Sequence, residues 1–594
     1  MEEHTVSESH ANPDPFTNVL GVVYSHSKTS DGGDLYLTRF GQEVARFLEI
    51  ENWYEKEWFE ERRERLRGTG SVYKLPTKRV DGANLTLVVK NSRVGEDVPL
   101  DTHTLMEYMS AEFNSPWEEF SLVMEMREGL FGPSSIRVET QKPLAIYVPP
   151  EKLQLWQTGR SKSKMNKIAA RHPGIYLDIL RQYKLIYRWI EGKNIVELFE
   201  EAGFSGEGLD AVIAPITKQV IEDMEKKGYA VADMKAVHII IGDDVLRSLG
   251  ADFRPGGSGP DGATKDGLAA GIREAVRAGR YSVVDYELLF RTPVHEQQVK
   301  LSRRHSYLDH QVLRFREAPL PAHLKAVEIF GVPYIFGHAE STGGSLWVVG
   351  KDPNLFDFFL PERWRQTPSK KLSAENEVYY TLTKDNVHVV WKTSKVGERP
   401  SAAFVSEILA AEALAAGYNS PFEEFAAAQY LNERGVPTVY VRAIYMTGTP
   451  KFEQSGDCSR FETHKDLVTP DGLPILRQDR NYISIRGYYN GPDRWVAEHD
   501  ASYYQPADLI QALACKIISK PEFVAIFEYV KEQLRRAGYD GGLLSGNDVI
   551  VAIDAAGRLV RNAQGMPEAL ISNFELLRKL PLTGNRARGC GHAL

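Results

Sequence analysis

Apolar residues recur at helical intervals through Val212, Ile213, Ile216, Val220, Ile221 and Met224, and Gly228 follows as a C-terminal stop. Phe523, Val524, Ile526, Phe527, Val530 and Leu534 repeat that pattern ahead of Gly538. Between Gly228 and the apolar run Ile239–Ile241 the polarity rises, so Asp233, Lys235 and His238 are predicted on a loop joining a buried helix to a strand. Asn84 to Lys90 alternates as a strand ending in a lysine. Tyr183 to Gly192 reads as a strand running into a glycine, and Tyr281 to Asp285 as a short apolar strand ending in a carboxylate. Residues 20–50 suggest a hairpin around Ser30-Asp-Gly-Gly33 and then an amphipathic segment. Helices are expected at Glu57–Arg67, at Thr104–Phe113 and over Lys265–Arg280.

The pattern occurs twice. Val88-Val-Lys90-Asn-Ser-Arg-Val-Gly-Glu96 answers Val390-Trp-Lys392-Thr-Ser-Lys-Val-Gly-Glu398, and Asn114-Ser-Pro-Trp-Glu-Glu-Phe120 answers Asn419-Ser-Pro-Phe-Glu-Glu-Phe425. Gly21-Val-Val-Tyr24 matches Gly331-Val-Pro-Tyr334, Gly228-Tyr229 matches Gly538-Tyr539, and Tyr286-Glu-Leu-Leu289 matches Phe574-Glu-Leu-Leu577, all in the same order. So long a period means duplicated globular domains and not a solenoid. The copies are expected at 17–317 and 318–580, with a disordered polar segment at 1–16 and a flexible tail at 581–594. Ser302 to Ala322 is assigned to the end of the first copy and the linker.

Composition narrows the picture modestly. A chain of 594 residues exceeds one hydrophobic core. Its formal charge of −8 argues against nucleic acid as the main partner. Cys458, Cys515 and Cys590 lie far apart, which excludes a disulfide framework and fits a reducing compartment. No apolar run reaches the length of about 18 residues that a membrane helix needs. The acidic, polar N-terminus lacks the features of a signal peptide, so the expected location is cytoplasmic.

Taken by themselves, Asp233 and Lys235 read as turn residues and Lys90 as a solvated surface lysine. In order along the chain, however, Lys90, a helix with Glu107 (or Glu112), the Asn-Ser-Pro break, Asp233, Lys235, His238 and Asp285 resemble the protein-kinase-like superfamily. The similarity is to its compact atypical branch: lipopolysaccharide core kinases, Rio-type kinases and aminoglycoside phosphotransferases. The resemblance implies an α+β fold of two tandem bilobal domains, each a small β-rich lobe and a mostly helical lobe. It implies ATP and magnesium as cofactors. Lys90, oriented by Glu107, would hold the nucleotide phosphates under a turn at Gly68-Thr-Gly70, with the adenine near the hinge ending at Glu191. Asp233 would be the catalytic carboxylate, Lys235 a phosphate contact, and His238 with Asp285 the metal ligands.

Two departures from that family stand out. No His-Arg precedes Asp233, and 52 positions separate it from Asp285, so Asp243 or Asp244 competes as the metal carboxylate. A Gly-rich loop, Arg254 to Gly262, lies in that interval, and a basic insertion at 149–175 reads as a solvated loop or a surface for an anionic substrate. In the second copy Asp233, Lys235, His238 and Asp285 correspond to Leu543, Ser545, Asp548 and Asn573, while Lys392 and Glu412 persist. The expectation is a phosphotransferase acting through its first domain, with a pseudokinase second domain that docks or regulates. The alternatives are a non-catalytic scaffold, or transfer of AMP or another group. The acceptor, whether protein, sugar or small molecule, is left open.

Overall fold

A computed structural model describes residues 16–66, 71–94, 112–153, 180–249, 265–339, 341–365, 367–373, 376–400, 415–451, 455–492, 503–562 and 565–580, with single positions 96, 98 and 178. Outside these lie the two termini, Gly68 and Gly70, Glu107 and nearly all of its expected helix, most of the insertion at 149–175, and the loop Arg254–Gly262. The fold is mixed α and β, built on two large antiparallel sheets, one in each of two compact units that divide between Lys300 and Leu301.

The first unit carries strands β1 (Phe16–Val19), β2 (Val22–Lys28), β3 (Asp34–Leu37), β4 (Glu64–Arg65), β5 (Val72–Pro76), β6 (Thr86–Asn91), β7 (Glu139–Thr140), β8 (Pro143–Val148) and β9 (Lys184–Arg188). Eight of them form one sheet in the order β1-β2-β3-β8-β9-β6-β5-β4. The remaining strands, β10 (Gly192–Asn194), β11 (Tyr229–Val231), β12 (Ile239–Gly242), β13 (Ser282–Val283) and β14 (Leu289–Arg291), make two small sheets, β10-β12-β13-β7 and β11-β14. Side chains alternate across β6. Leu87 and Val89 enter one core with Leu35, Trp53 and Ile186, while Val88 enters the other with Phe120, Val123 and Tyr187. Lys90 shares the face of Val88 and is thereby directed to the helix Pro116–Glu128.

That helix begins with a capping box, in which the Ser115 hydroxyl accepts from the Glu118 amide and Glu118 accepts from the Ser115 amide, and Pro116 follows at the first helical position. The long helix Gly206–Lys226 buries Val212, Ile216, Val220 and Met224, and Gly228 at φ +80° turns the chain away into β11.

In the second unit β15 (Lys325–Ile329), β16 (Val332–Ala339), β17 (Gly344–Val349), β18 (Ser369–Lys371), β19 (Val378–Leu382), β20 (His388–Thr393), β21 (Val441–Met446) and β22 (Tyr482–Gly487) form a sheet ordered β15-β16-β17-β21-β22-β20-β19-β18. Strand for strand this is the order of the first sheet. Even the irregularity is repeated: the pairing of β8 with β9 slips between Pro143 and Ala145, and that of β21 with β22 slips between Val441 and Ala443. The first half of the segment expected as a linker, Ser302–Ala322, continues a helix, Pro293–Val312. Its C-terminal part belongs to the second unit, where Tyr307 and Leu308 join the core and Arg303 pairs with Asp385 at 2.7 Å.

Candidate active site

Lys90 is buried, 5% exposed, and its ammonium sits among three carboxylates. Asp285 Oδ1 lies at 2.7 Å, Glu287 Oε2 at 3.2 Å and Glu119 Oε1 at 3.5 Å. A lysine buried alone would lose its proton; this one is kept charged because the three carboxylates outweigh the cost of burial and hold its pKa well above the ordinary value. Burial pushes Glu119 and Glu287 up, with Lys90 opposing. Burial pushes Asp285 up as well, but Lys90 and His238 overcome it and hold this carboxyl well below the usual range. Asp285 is thus the one carboxyl of the trio whose pKa is held down, and its side chain is 31% exposed.

Local sequence explains how the groups converge. Asn114 precedes the capping box, and its amide donates to Glu287 O at 2.8 Å. Its side-chain Nδ2 donates to Tyr286 O at 3.2 Å and to Leu289 O at 2.8 Å, fastening the turn that carries Asp285 and Glu287 to the start of the Glu119 helix. Tyr187 donates to Glu119 at 2.7 Å, and Arg93 donates to Glu287 at 3.1 Å while lying over the Phe113 ring. Asp285 itself stands at φ +69°, a conformation that costs a non-glycine residue of order 1 kcal/mol or more and is found where surrounding structure enforces it.

His238 ends a short 3-10 turn, Ala236–His238, and its carbonyl accepts from the Val284 amide at 2.9 Å. Pairing of β12 with β13 thus brings His238 to Asp285, with Nε2 3.6 Å from Oδ2. Its Nδ1 is buried with no hydrogen-bond partner. Asp233 and Lys235 occupy the loop just before, 3.4 Å apart and both partly exposed. The Ala232 amide donates to Leu288 O, tying that loop to the Asp285 turn.

Several sequence expectations land differently. Lys90 is not a solvated surface lysine. Glu107 lies outside the described residues, Glu112 is exposed, and the helix carboxylate found against Lys90 is Glu119. The repeat held a signal for it, since Glu119 and Glu424 fall at the same place in the paired Asn-Ser-Pro motifs; Glu287, paired with Glu575, was equally visible. Asp243 and Asp244 are exposed in the first turn of the helix Asp243–Ser248, away from the pair His238–Asp285. Glu191 is exposed, and its carbonyl accepts from the Asp243 amide at 3.1 Å, so that group is used by the backbone. Among the described residues no group of three or more His, Cys, Asp or Glu side chains could hold a metal ion, and no helix is long and apolar enough to cross a membrane.

The second unit repeats the cluster with different charges. Lys392 Nζ lies 2.8 Å from Asn573 Oδ1 and 2.8 Å from Glu575, and Asn419 bonds the Phe574 and Leu577 carbonyls as Asn114 does their counterparts. Arg486 stands where the first unit has Tyr187, opposite Val390 as Tyr187 is opposite Val88, and pairs with Glu424 at 2.7 Å. Asp548 replaces His238 and accepts from Asn573 at 2.9 Å. Over equivalent positions, with histidine neutral, the first cluster has Lys90 and Arg93 against Glu119, Asp285 and Glu287, a net −1. The second has Lys392, Lys395 and Arg486 against Glu424, Asp548 and Glu575, a net of zero. Asn573, at the position of Asp285, does not share its positive φ.

No family model and no curated protein matches the chain. Among solved structures it is similar to "WaaP in complex with acyl carrier protein", at 11% identity over 40% of this chain and 68% of that one, with a TM-score of 0.18. A likeness of that degree fixes no activity, which has to be argued from the cluster itself.

Proposed function

We propose that the first unit is a kinase-like phosphotransferase that uses a nucleoside triphosphate and a divalent cation, and that the second is its catalytically silent copy. One observation carries the reading: the Lys90 cluster holds one more carboxylate than it has cations, in a partly exposed Asp285 at positive φ, while the charges at the equivalent positions of the second copy sum to zero. An uncompensated buried charge is costly unless a cation or ligand completes it.

The residues fit magnesium or manganese bound together with phosphate oxygens and water, since such ions commonly take only one or two protein ligands in phosphoryl-transfer sites. Asp285 offers the carboxylate, and His238 the neighbouring nitrogen, a donor that suits manganese better than magnesium. When bound, the ion would neutralise charge on the transferring phosphoryl group. Lys90 would exchange part of its contact with Asp285 for the nucleotide phosphates, held in place by Glu119 and Glu287. Asp233 would orient the acceptor hydroxyl and accept its proton, with Lys235 next to it against the phosphoryl oxygens.

The test is incubation of the protein with γ-labelled and α-labelled ATP and either metal. Release or transfer of the γ label supports phosphoryl transfer, incorporation of the α label means adenylyl transfer, and neither leaves the scaffold reading. Asp233→Asn is expected to lower turnover by about 10²–10⁴-fold without moving the unfolding midpoint. Wild-type turnover in that variant would sink the assignment of Asp233.

A further inference from the structure

A well-formed cavity of the first unit lies away from the Lys90 cluster. A cleft of about 710 Å³ opens between the C-terminal end of the helix Pro116–Glu128, strand β7 and the chain leaving β9, and none of Lys90, Asp233, His238 or Asp285 lines it. Five cationic side chains do: Arg127, Arg137, Lys142, Arg188 and Lys227, against the carboxylates Glu128 and Glu139. In a chain of formal charge −8, such a surplus is local and not a property of the surface at large.

The cations are poorly neutralised. Arg137 pairs with Glu139 at 3.1 Å, but among the described residues Arg127, Lys142, Arg188 and Lys227 make no ion pair with a carboxylate. Buried Lys227 donates to the Gly129 carbonyl at 2.9 Å and the Pro133 carbonyl at 3.4 Å, leaving its charge unmatched. Arg127 is anchored on Thr140, 3.0 Å to the hydroxyl, and its Nε is buried with no partner. Arg127 and Lys142 both lie over the ring of Phe40, so like charges are gathered and not dispersed.

The repeat supplies a built-in comparison. The Arg188 amide donates to the Lys142 carbonyl at 3.0 Å, and in the second unit the Gly487 amide donates to the Tyr440 carbonyl at 2.8 Å, so these positions correspond. Arg127 bonds Thr140 just as Asn432 bonds Thr438, and Lys227 precedes Gly228 just as Ala537 precedes Gly538. All four unpaired cations are therefore replaced by neutral residues, Asn432, Tyr440, Gly487 and Ala537, on a backbone that is kept.

We propose that this cleft is a second binding site of the first unit, for a phosphorylated small molecule carrying at least two negative charges. A cavity of this volume suits a metabolite-sized ligand, and forked guanidinium groups with lysines match phosphate oxygens. Arg188, Trp189 and Ile190 belong to the segment expected as the hinge, but no residue of the Lys90 cluster lines the cleft, and the proposal does not depend on the nucleotide reading.

Inorganic pyrophosphate serves as the probe, titrated calorimetrically into the full chain at 0.15 M salt without nucleotide or divalent cation. One equivalent should bind, and Lys142→Tyr/Arg188→Gly, which installs the second copy's residues, should weaken it at least 10-fold at an unchanged unfolding midpoint. Should that double variant unfold, Lys142→Gln/Arg188→Gln replaces it, with the same loss expected. Pyrophosphate held at the Lys90 cluster would bind both variants with parent affinity, and that result, or absence of binding by the parent, overturns the proposal. Tighter binding of an oligoglutamate peptide than of pyrophosphate would overturn the ligand class.

Discussion

Asp285→Asn asks whether the extra carboxylate is there for the fold or for a cation, because it installs what the second copy already has. The pair Lys90–Asp285 at 2.7 Å is worth about 6 kcal/mol of gross attraction at an effective dielectric of about 20. Against this stand the cost of burying a carboxylate, several kcal/mol per ion even after relaxation, and repulsion from Glu119 and Glu287. The variant keeps Lys90 between those two glutamates, and an amide oxygen can retain the bond, as Lys392 and Asn573 do at 2.8 Å. Asparagine is also more at ease at φ +69° than most side chains. The net cost to folding is expected to be about 1 kcal/mol, within the ordinary range for one substitution. The cost to function should be much larger, at least about 100-fold in γ-label turnover, as for loss of one positioned electrostatic group. Urea unfolding followed alongside turnover, with manganese binding read by electron paramagnetic resonance, separates the two. Turnover within a few-fold of wild type would refute the cation reading. Destabilisation beyond about 4 kcal/mol, the cost of breaking a buried pair, would make Asp285 a structural residue instead.

Lys90→Met should be the more damaging change to the fold, by about 3–5 kcal/mol in urea unfolding, because it leaves Glu119 and Asp285 without their cation and Glu287 with Arg93 alone. Burial already raises Glu119 and Glu287, and losing Lys90 raises them further, so this variant should regain stability as pH falls and they protonate; a pH-independent deficit would contradict that. In the second unit burial pushes Glu362 up to about 7 from 4.5, outweighing the hydrogen bond that Ser341 donates to it at 2.7 Å. A carboxyl with a raised folded pKa gives stability present below its unfolded pKa and lost as pH rises through the folded one. About 3 kcal/mol should therefore be lost between pH 4.5 and 7.5, and Glu362→Gln should flatten that slope in thermal unfolding of the full chain.

Much of the molecule was written in local pattern. The alternation through Asn84–Lys90, the helical spacing of Val212 to Met224 and the stop at Gly228 specify elements whatever surrounds them, because a strand or helix face is set by periods of 2 and 3.6. Collinear matches such as Asn114-Ser-Pro with Asn419-Ser-Pro announced that one unit is built twice, and it was the resemblance to protein-kinase-like enzymes that singled out Lys90, Asp233, His238 and Asp285. What sequence could not decide was which carboxylates reach Lys90. Glu119 and Glu287 lie 29 and 197 positions from it, and although the repeat keeps both, as Glu424 and Glu575, that match does not say which group each one meets. Their meeting depends on Asn114 stitching two distant segments and on β12 pairing with β13, both long-range contacts. The basic cleft is of the same kind. Arg127, Lys142, Arg188 and Lys227 are far apart along the chain, and become a cluster only because a helix end, a strand and the chain leaving β9 close around one cavity. Charge adds up through space, over distances that the order of residues does not record.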